Sequence, residues 1–220
     1  LGGDGGDELF AGYKRYDKHL RSAWRRGLRL PLPASHTKSA KILDELRLDW
    51  LSAYSLRFSG LPPALRRFLQ PALASVPAVY WDRMPADTTE PLRALLDTDM
   101  HNYLPEYILR KGDLCTMAHG LELRVPLLDH RLYQSVLAMP DEKRFTQPRK
   151  LALGSACEPC RELKLFDAPK RGFNPPVARW LRHELRERLA DLGGRLAQST
   201  QNQIDGVRAQ QFIESFISGN

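Results

Sequence analysis

The 220 residues carry 33 Lys+Arg against 26 Asp+Glu, a net charge of +7, and are 42% hydrophobic and 27% charged. That length buries a sizeable core in one domain or one large piece of a domain, and the composition excludes disordered and collagen-like chains. No apolar run approaches the ~18 residues of a membrane span, no signal peptide opens the chain, and three Cys make no disulfide framework and point to a reducing cytosol.

The chain begins at Leu1 rather than Met and enters a glycine-rich stretch at once, which reads as the middle or end of a longer protein. Gly2, Gly3, Gly5 and Gly6 interleave with Asp4 and Asp7, and Glu8 follows; this is poor material for helix or strand. Glycines let the backbone approach a ligand and present N–H groups to phosphates. Carboxylates beside phosphates call for a hard cation such as Mg2+. A surface turn or a Ca2+-type loop would look similar. Residues 14–41 then hold nine basic residues and one acid, Asp17, leaving the rest of the chain near neutral. Such a stretch suits a solvated face or a small anion more than a nucleic-acid backbone.

Beyond it the pattern is helical almost throughout. Ile42, Leu43, Leu46, Trp50, Leu51 and Tyr54 recur at helical spacing, as do Leu92, Leu95, Leu96 and Tyr103 after Pro91. A further helix is predicted from Pro105 through Ile108 and Leu109. Asp129 can cap a helix carrying Leu132, Val136 and Leu137, which Pro140 stops. Val177, Trp180, Leu181, Leu185, Leu189 and Leu192 read as one inward stripe, and Val207, Phe212, Ile213, Phe216 and Ile217 as a last helix. The Pro-rich segments 30–33 and 174–176 read as loops. No period-2 alternation is sustained, so the fragment is mostly α.

Three further places carry candidate chemistry. Lys111 and Asp113 precede the segment 119–130, where Glu122 and Arg124 sit among apolar neighbours and predict a partly buried charge network. His119 there reads as a core histidine rather than a ligand. Cys157 and Cys160 form a CxxC without a second pair or a histidine at finger spacing, so structural thiols are favoured over zinc or redox chemistry. Lys170 and Arg171, between Pro169 and Gly172, are cations in a constrained loop, suited to a phosphate or a developing negative charge.

Taken together, the motifs at residues 3–13 (Gly-Asp-Gly-Gly-Asp-Glu-Leu-Phe-Ala-Gly-Tyr), 103–109 (Tyr-Leu-Pro-Glu-Tyr-Ile-Leu), 117–130 (Met-Ala-His-Gly-Leu-Glu-Leu-Arg-Val-Pro-Leu-Leu-Asp-His) and 169–173 (Pro-Lys-Arg-Gly-Phe), in that order, resemble the C-terminal synthetase domain of glutamine-hydrolysing asparagine synthetases. The resemblance runs over residues 2–185. It implies that residues 1–220 are the C-terminal portion of one α/β adenine-nucleotide α-hydrolase-like (ATP-pyrophosphatase) domain. The pyrophosphate-loop segment and the N-terminal glutaminase domain are not in this sequence.

The resemblance also implies roles. Gly2 and Gly3 match ATP-contacting positions, where the family has Ser-Gly. Asp4 matches an acid that activates the ammonia nucleophile or orients the intermediate, and Asp7 the acid associated with Mg2+ and pyrophosphate. Lys170 matches a lysine that stabilises charge on the adenylate and pyrophosphate. Lys111 and Asp113 match a polar pair, though Leu114 stands where Arg is common, and Glu122 and Arg124 match scaffold positions. The implied reaction is a cytoplasmic, ATP- and Mg2+-dependent amidation of aspartate, with ammonia derived from glutamine by the glutaminase domain. No membrane is involved, and a homodimer is compatible with the sequence. Two rival readings stay open. One is a related amide-forming enzyme, β-lactam synthetase-like or peptide-cyclising, acting on another carboxylate. The other is a non-catalytic basic helical module that binds nucleic acid.

Overall fold

A computed structural model describes residues 1–22, 27, 37–58, 61–73, 89–147, 149–165, 175–198 and 203–219. Among these residues the secondary structure is helix and turn, with no strand. The chain divides into two compact units, residues 1–23 with 81–171, and residues 24–80 with 172–220.

The first unit is built on a continuous helix from Pro91 to Met117. Pro91 stands in its first turn, where a missing N–H leaves no bond unmade. The expectation that a new helix starts at Pro105 is corrected. Pro105 lies inside a π-helical stretch, Asp99–Leu109, that joins Pro91–Thr98 to Arg110–Met117. Proline lacks the donor that an α-turn would use, and the wider winding absorbs the gap without ending the helix. Against this helix and its surroundings pack short helices: Gly6–Leu9, Lys14–Leu20, His130–Leu137, Asp141–Arg144, Leu151–Ser155 and Glu158–Glu162. His130–Leu137 starts as predicted, with the Asp129 carboxylate accepting from the Arg131 N–H at 3.0 Å. Val136 from this helix joins Leu9 and Phe10 in a buried cluster backed by Met100, Leu127, Tyr133 and Leu153.

The cysteines differ from expectation. Cys157 and Cys160 are joined in a disulfide rather than standing as thiols. They flank the first turn of the helix Glu158–Glu162, and that turn brings their Cα atoms to 5.2 Å, within bridging reach. Cys115 is free and exposed.

In the second unit Asp44, 3% exposed, ties the helix Lys38–Arg47 to Pro63–Leu69 by accepting from the Ala64 N–H and the Arg67 guanidinium. The stretch predicted as one helix through Tyr54 is broken before Trp50. Asp49 instead caps a second helix, Trp50–Ser55, accepting from the Leu51 and Ser52 N–H groups at 3.0 and 2.9 Å. Arg186–Gln198 and Gly206–Ser218 form an antiparallel pair. At Gly206 a Cβ would come within 2.1 Å of the Leu196 carbonyl oxygen, so only glycine fits. The inward stripe from Val177 to Leu192 is corrected as well. The helix stops at Arg182, whose guanidinium donates to the Phe216 carbonyl at 2.9 Å. Trp180 remains 42% exposed, and Val177 and Leu192 similarly so. No helix among the described residues is long and apolar enough to cross a membrane.

Candidate functional site

The glycine-rich opening is a loop that closes into one turn of helix. Gly5 takes φ +90°, a left-handed conformation, and a Cβ there would sit 2.5 Å from Leu128 Cδ2. Both facts require glycine. From Gly5 the chain winds into Gly6–Leu9, a helical turn that glycine content alone argues against. The turn is held from below rather than by propensity: Leu9 and Phe10 are buried in the core, and the Arg144 guanidinium, itself 4% exposed, donates to the Leu9 carbonyl at 2.8 Å. Asp7 and Glu8 occupy this turn and leave it in opposite directions.

Glu8 points inward. It is 1% exposed and accepts from the Tyr13 hydroxyl at 2.7 Å. Burial pushes its pKa above the ordinary glutamate range, against the Tyr13 hydrogen bond, which pulls it down. Burial likewise raises the Tyr13 phenol. Tyr13 lies under the Arg15 guanidinium, 3.5 Å from its ring centre, and Arg15 reaches across to Asp99 at 2.6 Å. Tyr16 donates to the same carboxylate oxygen at 2.6 Å. Asp99 has no exposed surface. This network clamps the end of the glycine-rich loop onto the π-helical stretch.

A raised native pKa means the folded chain holds a proton that the unfolded chain has released. The stability linked to Glu8 is therefore complete at low pH and is lost as pH rises from the ordinary glutamate range through the raised value. Glu8→Gln, neutral at every pH, keeps an oxygen for Tyr13. Its melting temperature relative to wild type is expected to climb as pH rises through and above the ordinary glutamate range. A difference that stays constant across this range would show that Glu8 does not titrate there.

Asp7 faces the other way, partly open. Its Oδ1 lies 2.9 Å from Lys150 Nζ, with 19% and 25% of the two side chains exposed. Gly12 makes room for it: a Cβ at Gly12 would fall 1.9 Å from that same oxygen. The Gly12 N–H donates to the Asp7 carbonyl at 2.8 Å, closing the loop beneath. Asp4 is half-buried in the preceding turn. A Cβ at Gly2 would come 3.0 Å from its Oδ2 and 3.2 Å from Leu123 Cδ1.

The remaining sequence-derived residues fall unevenly around this loop. The Gly2 N–H donates to the Arg124 carbonyl at 2.8 Å, so its amide is already committed and Gly2 could serve a ligand only by close approach. Gly3 is exposed. Glu122 and Arg124 were expected to be partly buried; instead they form an exposed ion pair, 2.7 Å apart and 67% and 73% exposed. Residues 121–125 form no regular element, and their exposure alternates, with Leu123 and Val125 partly buried and the two charges exposed. Their contribution to the loop is the Arg124 carbonyl. Lys111 and Asp113 are exposed on the helix Arg110–Met117, with the Lys111 ammonium 5.7 Å from the Tyr107 ring centre. His119, read as a core histidine, is exposed. Lys170 and Arg171, with Pro169, Gly172 and Phe173, lie outside the described residues, as do Arg25, Arg26 and Arg29 of the basic stretch and the loop 30–33.

Among the described residues no three His, Cys, Asp or Glu side chains converge on a metal position. Mg2+ in nucleotide sites takes one or two carboxylates and completes its shell with phosphates and water. Asp7 fits this role: it is partly open, fixed by Gly12, and already beside a cation. Lys150 was not singled out by sequence, and Gly12 was read only as part of the glycine-rich motif. A lysine ahead of a short helix carries no motif, and the pairing spans most of the first unit.

The chain resembles known proteins over nearly its whole length. The asparagine synthase family model matches residues 1–219. A Mycobacterium tuberculosis protein named as an asparagine synthetase (glutamine-hydrolyzing) is 31% identical over 201 residues, covering 83% of this chain and 30% of the relative. A Bacillus subtilis asparagine synthetase (glutamine-hydrolyzing) is 26% identical over 217 residues, covering 85% and 32%. An amidase of Penicillium rubens, chyE, is 23% identical over 255 residues, covering 96% and 37%. The chain thus spans about a third of the length of these relatives. No solved structure matches it.

Proposed function

From the premise that the chain belongs to the asparagine synthase family, we propose that it is the C-terminal portion of an ATP-pyrophosphatase-like synthetase domain that converts aspartate to asparagine in the cytoplasm. The side-chain carboxylate of aspartate attacks the α-phosphate of ATP, giving β-aspartyl-AMP and pyrophosphate. Ammonia, released from glutamine by an N-terminal glutaminase domain, then displaces AMP. A carboxylate is a poor electrophile until adenylation gives it a leaving group.

The observation that carries this reading is the loop itself: two acids on one glycine-rich turn, anchored from below by buried side chains, with Asp7 beside a fixed cation. Asp7 would hold Mg2+, which would supply positive charge toward the departing pyrophosphate. Asp4 orients the amine or takes up its proton. Gly3 and the close approach at Gly2 make room for the nucleotide, and Lys170 stabilises charge on the adenylate. Lys111, Asp113, Glu122 and Arg124 support the loop from outside the reacting atoms.

A second reading, amide formation on another carboxylate, is favoured by Gly2 and Leu114, where the family carries Ser and Arg. The nucleic-acid reading loses support, since Arg15 of the basic stretch is committed to Asp99 and the tyrosine rings. The deciding measurement is ATP–pyrophosphate exchange by the intact protein. Exchange that requires aspartate supports asparagine synthesis. Exchange with a different carboxylate moves the reading to the second, and none with any carboxylate overturns both.

A further inference from the structure

We infer that Cys157 and Cys160 form a reversible thiol–disulfide site for small thiols of the glutathione class, whose oxidation state sets how firmly the glycine-rich loop is held. This rests on the cytoplasmic placement proposed above. Where glutathione keeps thiols reduced, a disulfide that forms is ordinarily transient, catalytic or redox-sensing. Both cysteines are only partly buried, with exposed Ala156, Glu158 and Pro159 around them. Exposed disulfides are more readily reduced than buried ones. At a sequence separation of 3, the reduced pair stays within reach and the bond can re-form.

The turn that this bond closes leads back to the candidate site. Glu158–Glu162 is a helix of 5 residues, none of them buried, and Cys157 ahead of it makes no side-chain cap. So short a helix has little stability of its own, and the disulfide is the covalent tie on its first turn. The Cys157 N–H donates to the carbonyl of buried Gly154 at 3.3 Å, and its carbonyl accepts from the Arg161 N–H at 3.2 Å. Cys157 therefore joins this helix to Leu151–Ser155. From that second helix Ala152 and Leu153 pack against the cluster of Leu9 and Phe10. Leu153 Cδ2 lies 3.6 Å from where a Cβ would stand on Gly6. The contacts run from the sulfurs to the turn that carries Asp7. Reduction frees Glu158–Glu162 to open and loosens the floor of the loop, while the rest of the core stays folded.

The exchange balances without any further reactant. A glutathione thiolate attacks one sulfur, the S–S bond breaks, and the other cysteine leaves as a thiolate that takes up a proton. A second glutathione thiolate attacks the mixed disulfide and releases the first cysteine. One protein disulfide is thus reduced to two thiols while two glutathione thiols are oxidised to glutathione disulfide. Oxidation runs the same steps in reverse.

The test equilibrates the full-length protein in glutathione buffers and reads differential alkylation peptide by peptide. Excess reduced glutathione is expected to give both cysteines as thiols, and glutathione disulfide to restore the bond between them. A bond that survives excess reduced glutathione, or stable glutathione adducts in its place, overturns the inference. Amide hydrogen exchange in the two states reads the coupling. Reduction is expected to speed exchange roughly fivefold or more in residues 151–162 and in residues 5–10. Unchanged exchange in residues 5–10 overturns the inference even where the bond titrates. Cys157→Ser should show the fast rates in every buffer, and Cys160→Ser replaces it should that variant not fold. Rates that still follow the buffer in the serine variant place the effect on another thiol and overturn the inference. Neither readout needs turnover, so failure of the acyl-adenylate reading leaves both standing, and failure here leaves that reading intact.

Discussion

Lys170→Met in the intact protein is expected to lower aspartate-dependent pyrophosphate release by on the order of 10²–10³ while leaving ATP affinity within about tenfold of wild type. Adenylation moves negative charge onto the α-phosphate and the departing pyrophosphate. In the role proposed for Lys170, its ammonium acts on that charge more than on the ground-state nucleotide. Methionine keeps the length and the apolar stem and removes the charge. Lys170→Arg should recover only part of the rate, because a planar guanidinium does not replace a compact ammonium. Pyrophosphate release is measured at saturating ATP with ammonia supplied directly, which bypasses the glutaminase step. Wild-type turnover in Lys170→Met would transfer the role to Arg171.

The largest effect on stability is expected at Asp99. The carboxylate is fully buried and receives both the Arg15 guanidinium and the Tyr16 hydroxyl. Asp99→Ala leaves the guanidinium held between tyrosine rings without its counter-charge, at a cost of about 3–5 kcal/mol. For a chain of this size that is a fall in melting temperature of roughly 6 °C or more. A buried ion pair replaced as a pair is far less costly, so Arg15→Met combined with Asp99→Leu should recover most of the loss. If the double variant melts no higher than Asp99→Ala, the tyrosine–guanidinium stack rather than the charge pair holds the loop.

Local signals translated well where one residue decides the backbone. Pro91 in a first turn, Asp129 as a cap and the helix Gly206–Ser218 could all be read from the chain, because each depends on neighbours a few residues away. Readings failed where a distant partner decides. Pro105 is carried through by π-winding, the helix after Val177 ends at Arg182 where its guanidinium meets Phe216, and four glycines and two acids still yield a helical turn because Leu9, Phe10 and Arg144 hold it. The candidate site divided in the same way. Asp4 and Asp7 are legible as acids in a glycine-rich loop, whereas Lys150 and Gly12 acquire meaning only when the fold brings them to Asp7.

The wide winding of Asp99–Leu109 also bears on how related chains vary in length. A π-turn is geometrically an α-helix that has swallowed an additional residue. An insertion here is stored inside the helix, where the wider winding absorbs it, instead of being looped out into solvent. Relatives one residue shorter between Met100 and Ile108 can therefore keep both helix ends in place, with the gap in their alignment falling mid-helix. The residues beyond it, including Lys111 and Asp113, would then keep the same face in those relatives. Loss or gain of one residue in this segment is absorbed by the winding, without re-aiming that face or touching the glycine-rich loop.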